Sequence, residues 1–188
     1  MNKNNYFAHD TTIIDNDVSI GSGTKIWHFS HILKNVEIGE NCTIGQNVVI
    51  GPNVRIGSNC KIQNNVSLYD GLYIEDNVFL GPSCVFTNVI NPRSTVIRKD
   101  ELKDTIIKHG ASIGANATIV CGNTLEEFCM VGAGAVVTKS IKNNSLVIGN
   151  PAKHHKWISD NGHILDEKLI CPETKQKYEL DNGALVKR

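Results

Sequence analysis

His28, Gln46 and Asn64 stand at equal intervals along the chain, and Pro52, Asp70 and Asn88 repeat the same interval. An imidazole changes charge near neutral pH, so His28 suits a general base or a hydrogen-bond donor, and the nearby His31 offers the same chemistry. Amide and carboxylate groups at the other positions suit recognition of a polar ligand. Arg93 follows an Asn-Pro turn and is placed to hold an anion, while Arg98 and Lys99 could bind phosphates. The opposing reading makes Trp27 and Phe29 packing residues against a neighbouring subunit, and the charged run a solvated surface. The shared interval carries chemistry only if it is a structural period.

It is a multiple of one. An aliphatic side chain returns every six positions at Ile14, Ile20, Ile26, Ile32, Ile38, Ile44, Ile50, Ile56, Ile62, Leu68, Ile74 and Leu80, Phe86 takes the next beat, and the rhythm resumes from Ile107 to Val137. Six fits neither the helical period nor simple strand alternation, but it fits short strands joined by corners. Midway between beats come Gly23, Asn35, Asn41, Asn47, Asn53, Asn59, Asn65, Gly71, Asn77, Gly110, Asn116, Gly122 and Gly134. Glycine and asparagine tolerate the left-handed backbone region, so the chain turns there. Small or branched residues shortly before the beat, such as Val18, Thr24, Cys42, Val54 and Cys60, let three faces close on a narrow apolar interior. With three hexapeptides per turn, equivalent residues of successive turns would stack at roughly 4.8 Å. His28, Gln46 and Asn64 are spaced by that amount and would form one column. The expectation is an all-β parallel helix of about six coils.

Composition narrows the function. Nineteen basic residues balance nineteen acidic ones, which argues against nucleic acid or an anionic membrane as partner. No apolar run approaches a membrane span or a secretory signal, so a cytoplasmic protein is expected. The six cysteines contain no Cys-x-x-Cys pair and read as reduced core fillers. The seven histidines lack the close pair that a carbonic anhydrase-like zinc site between subunits would need, so no metal is expected. That zinc trimer and a non-catalytic scaffold are the competing readings.

The stretches IGENCT, IGQNVV, IGPNVR, LGPSCV, IGANAT and VGAGAV resemble the hexapeptide repeat of left-handed parallel β-helix proteins. The combination of IWHFSHI, KIQNNVSLYDG, FLGPSCVFTNVINPRS and GNPAK is similar to bacterial N-acetyltransferases acting on nucleotide-linked 3-amino sugars. It resembles in particular those acetylating UDP-2-acetamido-3-amino-2,3-dideoxyglucuronate for O-antigen assembly. A dTDP-3-amino-3,6-dideoxyhexose is the alternative acceptor.

The resemblance implies a left-handed β-helix, a homotrimer with sites between subunits, acetyl-CoA as co-substrate, and Asn88 at the sugar amine. An asparagine carbonyl can orient an amine but cannot deprotonate it. His28 or the departing thiolate would take the proton. The expected sugar-nucleotide contacts are Gln46, Asn64, Tyr69, Asp70 and Arg93. Those expected for acetyl-CoA are Gly132, Ala133, Gly134, Lys139, Lys153 and Lys156, because small corner residues expose backbone and lysines meet phosphates. The domain reading is a β-helix over 1–153, interrupted by a loop near 87–106, then an extension over 154–188 with a hairpin at Asp181-Asn182-Gly183.

Overall fold

The structure, a computed structural model, describes residues 5–188. Short strands, most of them a single dipeptide, stack into three parallel sheets, each side of a turn joining the equivalent side of the next. The first face runs through Phe7–Ala8, Lys25–Ile26, Thr43–Ile44, Lys61–Ile62, Phe79–Leu80, Ser112–Ile113, Met130–Val131 and Ser145–Ile148. The second begins at Ile13–Ile14 and ends at Val136–Val137, and the third runs from Ser19–Ile20 to Thr124–Leu125. Strand partners are separated by three hexapeptides, as in Lys25↔Thr43 and Ile26↔Ile44. The architecture is a left-handed β-helix.

Each beat residue points inward, and the stack from Ile26 to Val137 is almost completely buried. All the corner glycines and asparagines named above have positive φ, joined by Asp17, Phe29, Ser83 and Phe128 at the same phase of the repeat. Two buried hydroxyls replace aliphatic groups beside the core without being left unpaired. Thr24 Oγ1 donates to the Gly39 carbonyl at 2.8 Å and accepts from Cys42 N–H at 3.0 Å; Ser30 does the same between Gly45 and Val48. All six cysteines are free and buried.

The helix has about eight turns, not the six expected. The extra turns lie at the ends, where the aliphatic beat gives way to a small residue on phase, Ala8, and to an apolar residue off phase, Ile141. Phe7–Ala8 pairs with Lys25–Ile26 ahead of the first aliphatic beat, and at the far end Ile141 bridges Leu125 off the six-fold register that closes at Val137.

The interruption is tightly bounded. Ile74 pairs with Ile107, well beyond the regular interval that joins Ile56 to Ile74, so the chain has left and returned within a single turn. Its neck is closed by the Lys103 N–H donating to the Asn88 carbonyl at 3.0 Å. Inside the excursion, Arg93 and Val96 form an isolated antiparallel bridge, and Lys99–Glu101 makes one 3-10 turn.

Beyond the prism, Lys153–Trp157 pairs antiparallel with Ser145–Ile148. The strands Tyr178–Asp181 and Ala184–Lys187 form a hairpin turning at Asn182 and Gly183. Leu165, Cys171, Tyr178 and Leu185, with Trp157 and Leu169 against them, build a second small apolar cluster.

Candidate functional site

The corners between faces carry most of the residues singled out above, and these fall on two edges of the prism. His28, Gln46 and Asn64 follow strands of the first face, as do Gly132, Ala133 and Gly134 several turns later, so all lie on the edge between the first and second faces. Tyr69, Asp70, Asn88 and Lys139 follow strands of the second face and lie on the edge between the second and third.

On the first edge, Trp27, His28, Gln46 and Asn64 line one cleft. His28 stacks on His9 with ring centroids 3.6 Å apart, and Trp27 packs edge-on against Phe7 at 5.6 Å. His9 gave no signal in the sequence, because the column of His28 passes through Asp10 and leaves His9 one position out of phase. The Asn64 amide oxygen accepts the Gln46 N–H at 2.8 Å, which commits it to the corner and leaves the exposed Gln46 side chain as the freer amide. His31 is elsewhere: it projects from the second face and meets Asp15 at 3.0 Å.

On the second edge, the Asp70 carboxylate accepts from the Asn53 amide at 3.0 Å, completing a ladder in which Asn35 donates to Asn53. Tyr69 is 45% exposed. The Asn88 side chain makes no hydrogen bond among the described residues and faces a cleft formed by the excursion, together with Val89, Pro92, Arg93 and Arg98. The Arg93 guanidinium donates to the Pro92 carbonyl at 3.2 Å.

At the late turns, the amide hydrogens of Gly132 and Gly134 are already given to Val147 and Ala115, both at 2.8 Å. Open backbone surface remains at Gly134, where a Cβ would meet nothing within 4 Å. Lys139 lines a cavity under the cap with Ile141, Ser145, Ala152, His154 and Trp157. Partial burial, with His155 and Lys142 nearby, lowers the His154 pKa. Lys153 and Lys156 lie exposed on the outermost strand of the first sheet, and only Lys156 reaches the cleft between that strand and the cap. No three His, Cys, Asp or Glu side chains among the described residues are grouped to hold a metal ion, and no helix among them is long and apolar enough to cross a membrane.

Comparison with known proteins fits this geometry. The profile described as bacterial transferase hexapeptide (six repeats) matches residues 17–52 and 53–88, and that of the hexapeptide repeat of succinyl-transferase matches 35–70 and 105–139. Together they span more than half of the chain. The chain is a hexapeptide-repeat protein.

Among relatives of this hexapeptide protein, a dTDP-3-amino-3,6-dideoxy-alpha-D-galactopyranose 3-N-acetyltransferase from Aneurinibacillus thermoaerophilus is 42% identical over 82 residues, 42% of each chain. A 2,3,4,5-tetrahydropyridine-2,6-dicarboxylate N-acetyltransferase from Staphylococcus aureus is 36% identical over 84 residues, 45% of this chain and 32% of that one. The matched stretch thus spans less than half the length of these curated relatives.

Solved structures share the fold. A hexapeptide transferase family protein from Anaplasma phagocytophilum superposes with a TM-score of 0.58 at 22% identity, covering 83% of this chain and 81% of that one. A UDP-N-acetylglucosamine O-acyltransferase from Moraxella catarrhalis gives 0.52 at 18%, covering 80% and 74%.

Proposed function

We propose that the protein is an acetyl-CoA-dependent N-acetyltransferase acting on the 3-amino group of a nucleotide-linked sugar, as a homotrimer with its sites between prisms. One observation carries the reading: the two edges bearing ligand-competent side chains flank a single face whose strands present no Lys, Arg, Asp or Glu. The outward residues of that second face are Ile13, His31, Val49, Ser67, Val85, Thr118 and Val136. The first face, by contrast, presents Lys25 and Lys61, and the third Glu37 and Arg55.

Depletion of charge and exposed apolar groups, here Ile13 at 59% and Val85 at 48%, favour a buried contact. Closing three copies around that face is a cyclic, heterologous arrangement. It would bring the His28 edge of one protomer against the Asn88 edge of the next, so each site draws on two chains.

In such a cleft the Asn88 amide oxygen accepts a hydrogen bond from the acceptor amine and aims its lone pair at the thioester carbonyl. The new C–N bond forms as the C–S bond breaks, and the amine proton passes to His28 or to the released thiolate. Orientation supplies most of the effect, because a sugar amine needs little help to lose its proton. Gln46, Tyr69 and Arg93 bind the nucleotide sugar, with Asn64 and Asp70 holding the corners beneath them. The open backbone at Gly134, with Ala133, Gly132 and the lysines Lys139, Lys153 and Lys156, suits a long amide-bearing donor ending in phosphates, which is what acetyl-CoA is.

The relative from Aneurinibacillus supports a 3-amino acceptor linked to dTDP. The TNVINPRS resemblance supports the UDP-linked 3-amino uronate. On this reading the enzyme works in the cytoplasm, supplying lipopolysaccharide O-antigen or another surface glycan.

Thiol release from acetyl-CoA against UDP- and dTDP-linked 3-amino and 4-amino sugars tests the proposal and chooses the acceptor. Asn88→Ala should cut turnover on the preferred acceptor by about a hundredfold or more while sedimentation still shows the trimer. Full activity in that variant rejects the role given to Asn88, and no release with any 3-amino sugar rejects the function.

A further inference from the structure

The cleft beside Asn88 is lined by Arg93, Arg98 and Lys99, with no carboxylate among its lining residues. These three cations are not equivalent. Arg93 spends a donor on its neighbour's carbonyl, and Lys99 is exposed. The Arg98 side chain is 23% exposed; its Nη1 lies 2.8 and 2.9 Å from the two oxygens of Glu101, and its Nε is buried with no partner among the described residues.

A guanidinium presents a planar fork of five donors that fits two oxygens of a carboxylate or phosphate at once. Glu101 occupies only one nitrogen of that fork. The carboxylate is half exposed and stands one 3-10 turn from Arg98, so water screens the pair and the bond is weak. The Nε donor left without an acceptor is a standing cost that a better-placed anion would remove.

We propose that Arg98 is the residue that recognises an anionic oxygen group of the acceptor, and that Glu101 holds the guanidinium until that group displaces it. The assignment rests on the nucleotide-sugar reading given above and adds to it a specificity determinant. One anion replaces another on the same guanidinium, so the exchange needs no change of protonation. The neck hydrogen bond from Lys103 to Asn88 anchors the excursion beside the amide that orients the amine, so the acceptor would be gripped at its charge and at its nucleophile by one loop. Two acceptor groups have the required chemistry: the carboxylate of a sugar acid and the diphosphate of any nucleotide sugar.

Calorimetric titration with UDP-glucuronate, UDP-glucose and dTDP-glucose separates these sources without requiring turnover. Arg98→Gln should weaken UDP-glucuronate binding by roughly ten- to a hundredfold, with acetyl-CoA affinity and thermal midpoint unchanged. Glu101→Gln should strengthen it severalfold in the wild-type background and leave it unaltered in the Arg98→Gln background. Equal weakening of UDP-glucose by Arg98→Gln assigns the contact to the diphosphate, and weakening confined to UDP-glucuronate assigns it to the carboxylate.

Unchanged UDP-glucuronate affinity in Arg98→Gln overturns the proposal. So does weaker binding in Glu101→Gln, or failure of the wild type to bind any of the three. Arg98-dependent binding without thiol release would reject acetyl transfer and leave the Arg98 assignment standing.

Discussion

Gly45→Ala separates two reasons for which this fold keeps glycine. Gly45 precedes Gln46 at a corner, and a Cβ there would lie 2.6 Å from Asn64 Oδ1, 2.8 Å from Asn64 N and 2.8 Å from the Gln63 carbonyl carbon. Two of those atoms are backbone of the next turn, so the coil spacing must open locally. Overpacking of this kind costs about 1–3 kcal/mol. Displacing Asn64 also breaks its bond to the Gln46 N–H, adding about 1 kcal/mol. The expected total is about 2–4 kcal/mol.

Gly134 is the control. It has φ +68° and open space around its Cβ, so Gly134→Ala meets only left-handed strain of about 1–2 kcal/mol, partly offset by a stiffer unfolded chain. Urea unfolding at one fixed protein concentration measures both, with the midpoint falling further for Gly45→Ala at an unchanged slope. Because Asn64 shares the cleft of His28, the same variant should raise the acceptor KM. Equal destabilisation by the two alanines would refute the idea that close approach of successive turns, and not backbone conformation, demands glycine at the first corner position.

Burial raises the thiol pKa of Cys84 and Cys129 to about 12, so neither should be alkylated by iodoacetamide at neutral pH until the protein unfolds. Rapid labelling of the native protein at either residue, read by mass spectrometry, would contradict this. The His154 pKa is lowered from 6.5, so the folded chain binds fewer protons than the unfolded one as pH falls through that value, and stability is lost on acidification. His154→Gln forfeits the Ser145 hydrogen bond and melts lower at neutral pH, but its melting point should drop less between about pH 7.5 and 5.5 than that of the wild type.

The middle of the prism could be read from residue types because its determinants are local. Left-handed backbone is a preference of glycine and asparagine themselves, and a beat every six positions leaves the aliphatic stack no other place to go. The same logic failed at the ends, where a small Ala8 takes the phase of the beat and Ile141 reaches the core out of phase, so neither extends the aliphatic rhythm although both pack against the stack. Spacing also placed His28, Gln46 and Asn64 in one column, and a single cleft contains them.

Which polar groups are free for a ligand was settled by competition across turns. Asn64 and Asp70 look as available as Gln46 and Asn88 in the sequence. Yet one holds the Gln46 N–H and the other the Asn53 amide, while the Asn88 side chain is left unbonded among the described residues. Arg98 reads in the sequence either as a phosphate binder or as part of a solvated charged run; the 3-10 turn pairs it with Glu101 and its side chain lines the cleft of Asn88. The repeat dictates the prism, its core and its corners, since each follows from a side chain's own conformational and solvation preferences. Which amides, histidines and cations meet on which edge emerges from the folded coil alone, because Asn53 and Asp70, Gln46 and Asn64, or His9 and His28 come from successive turns and contend there for the same hydrogen bonds and ring faces.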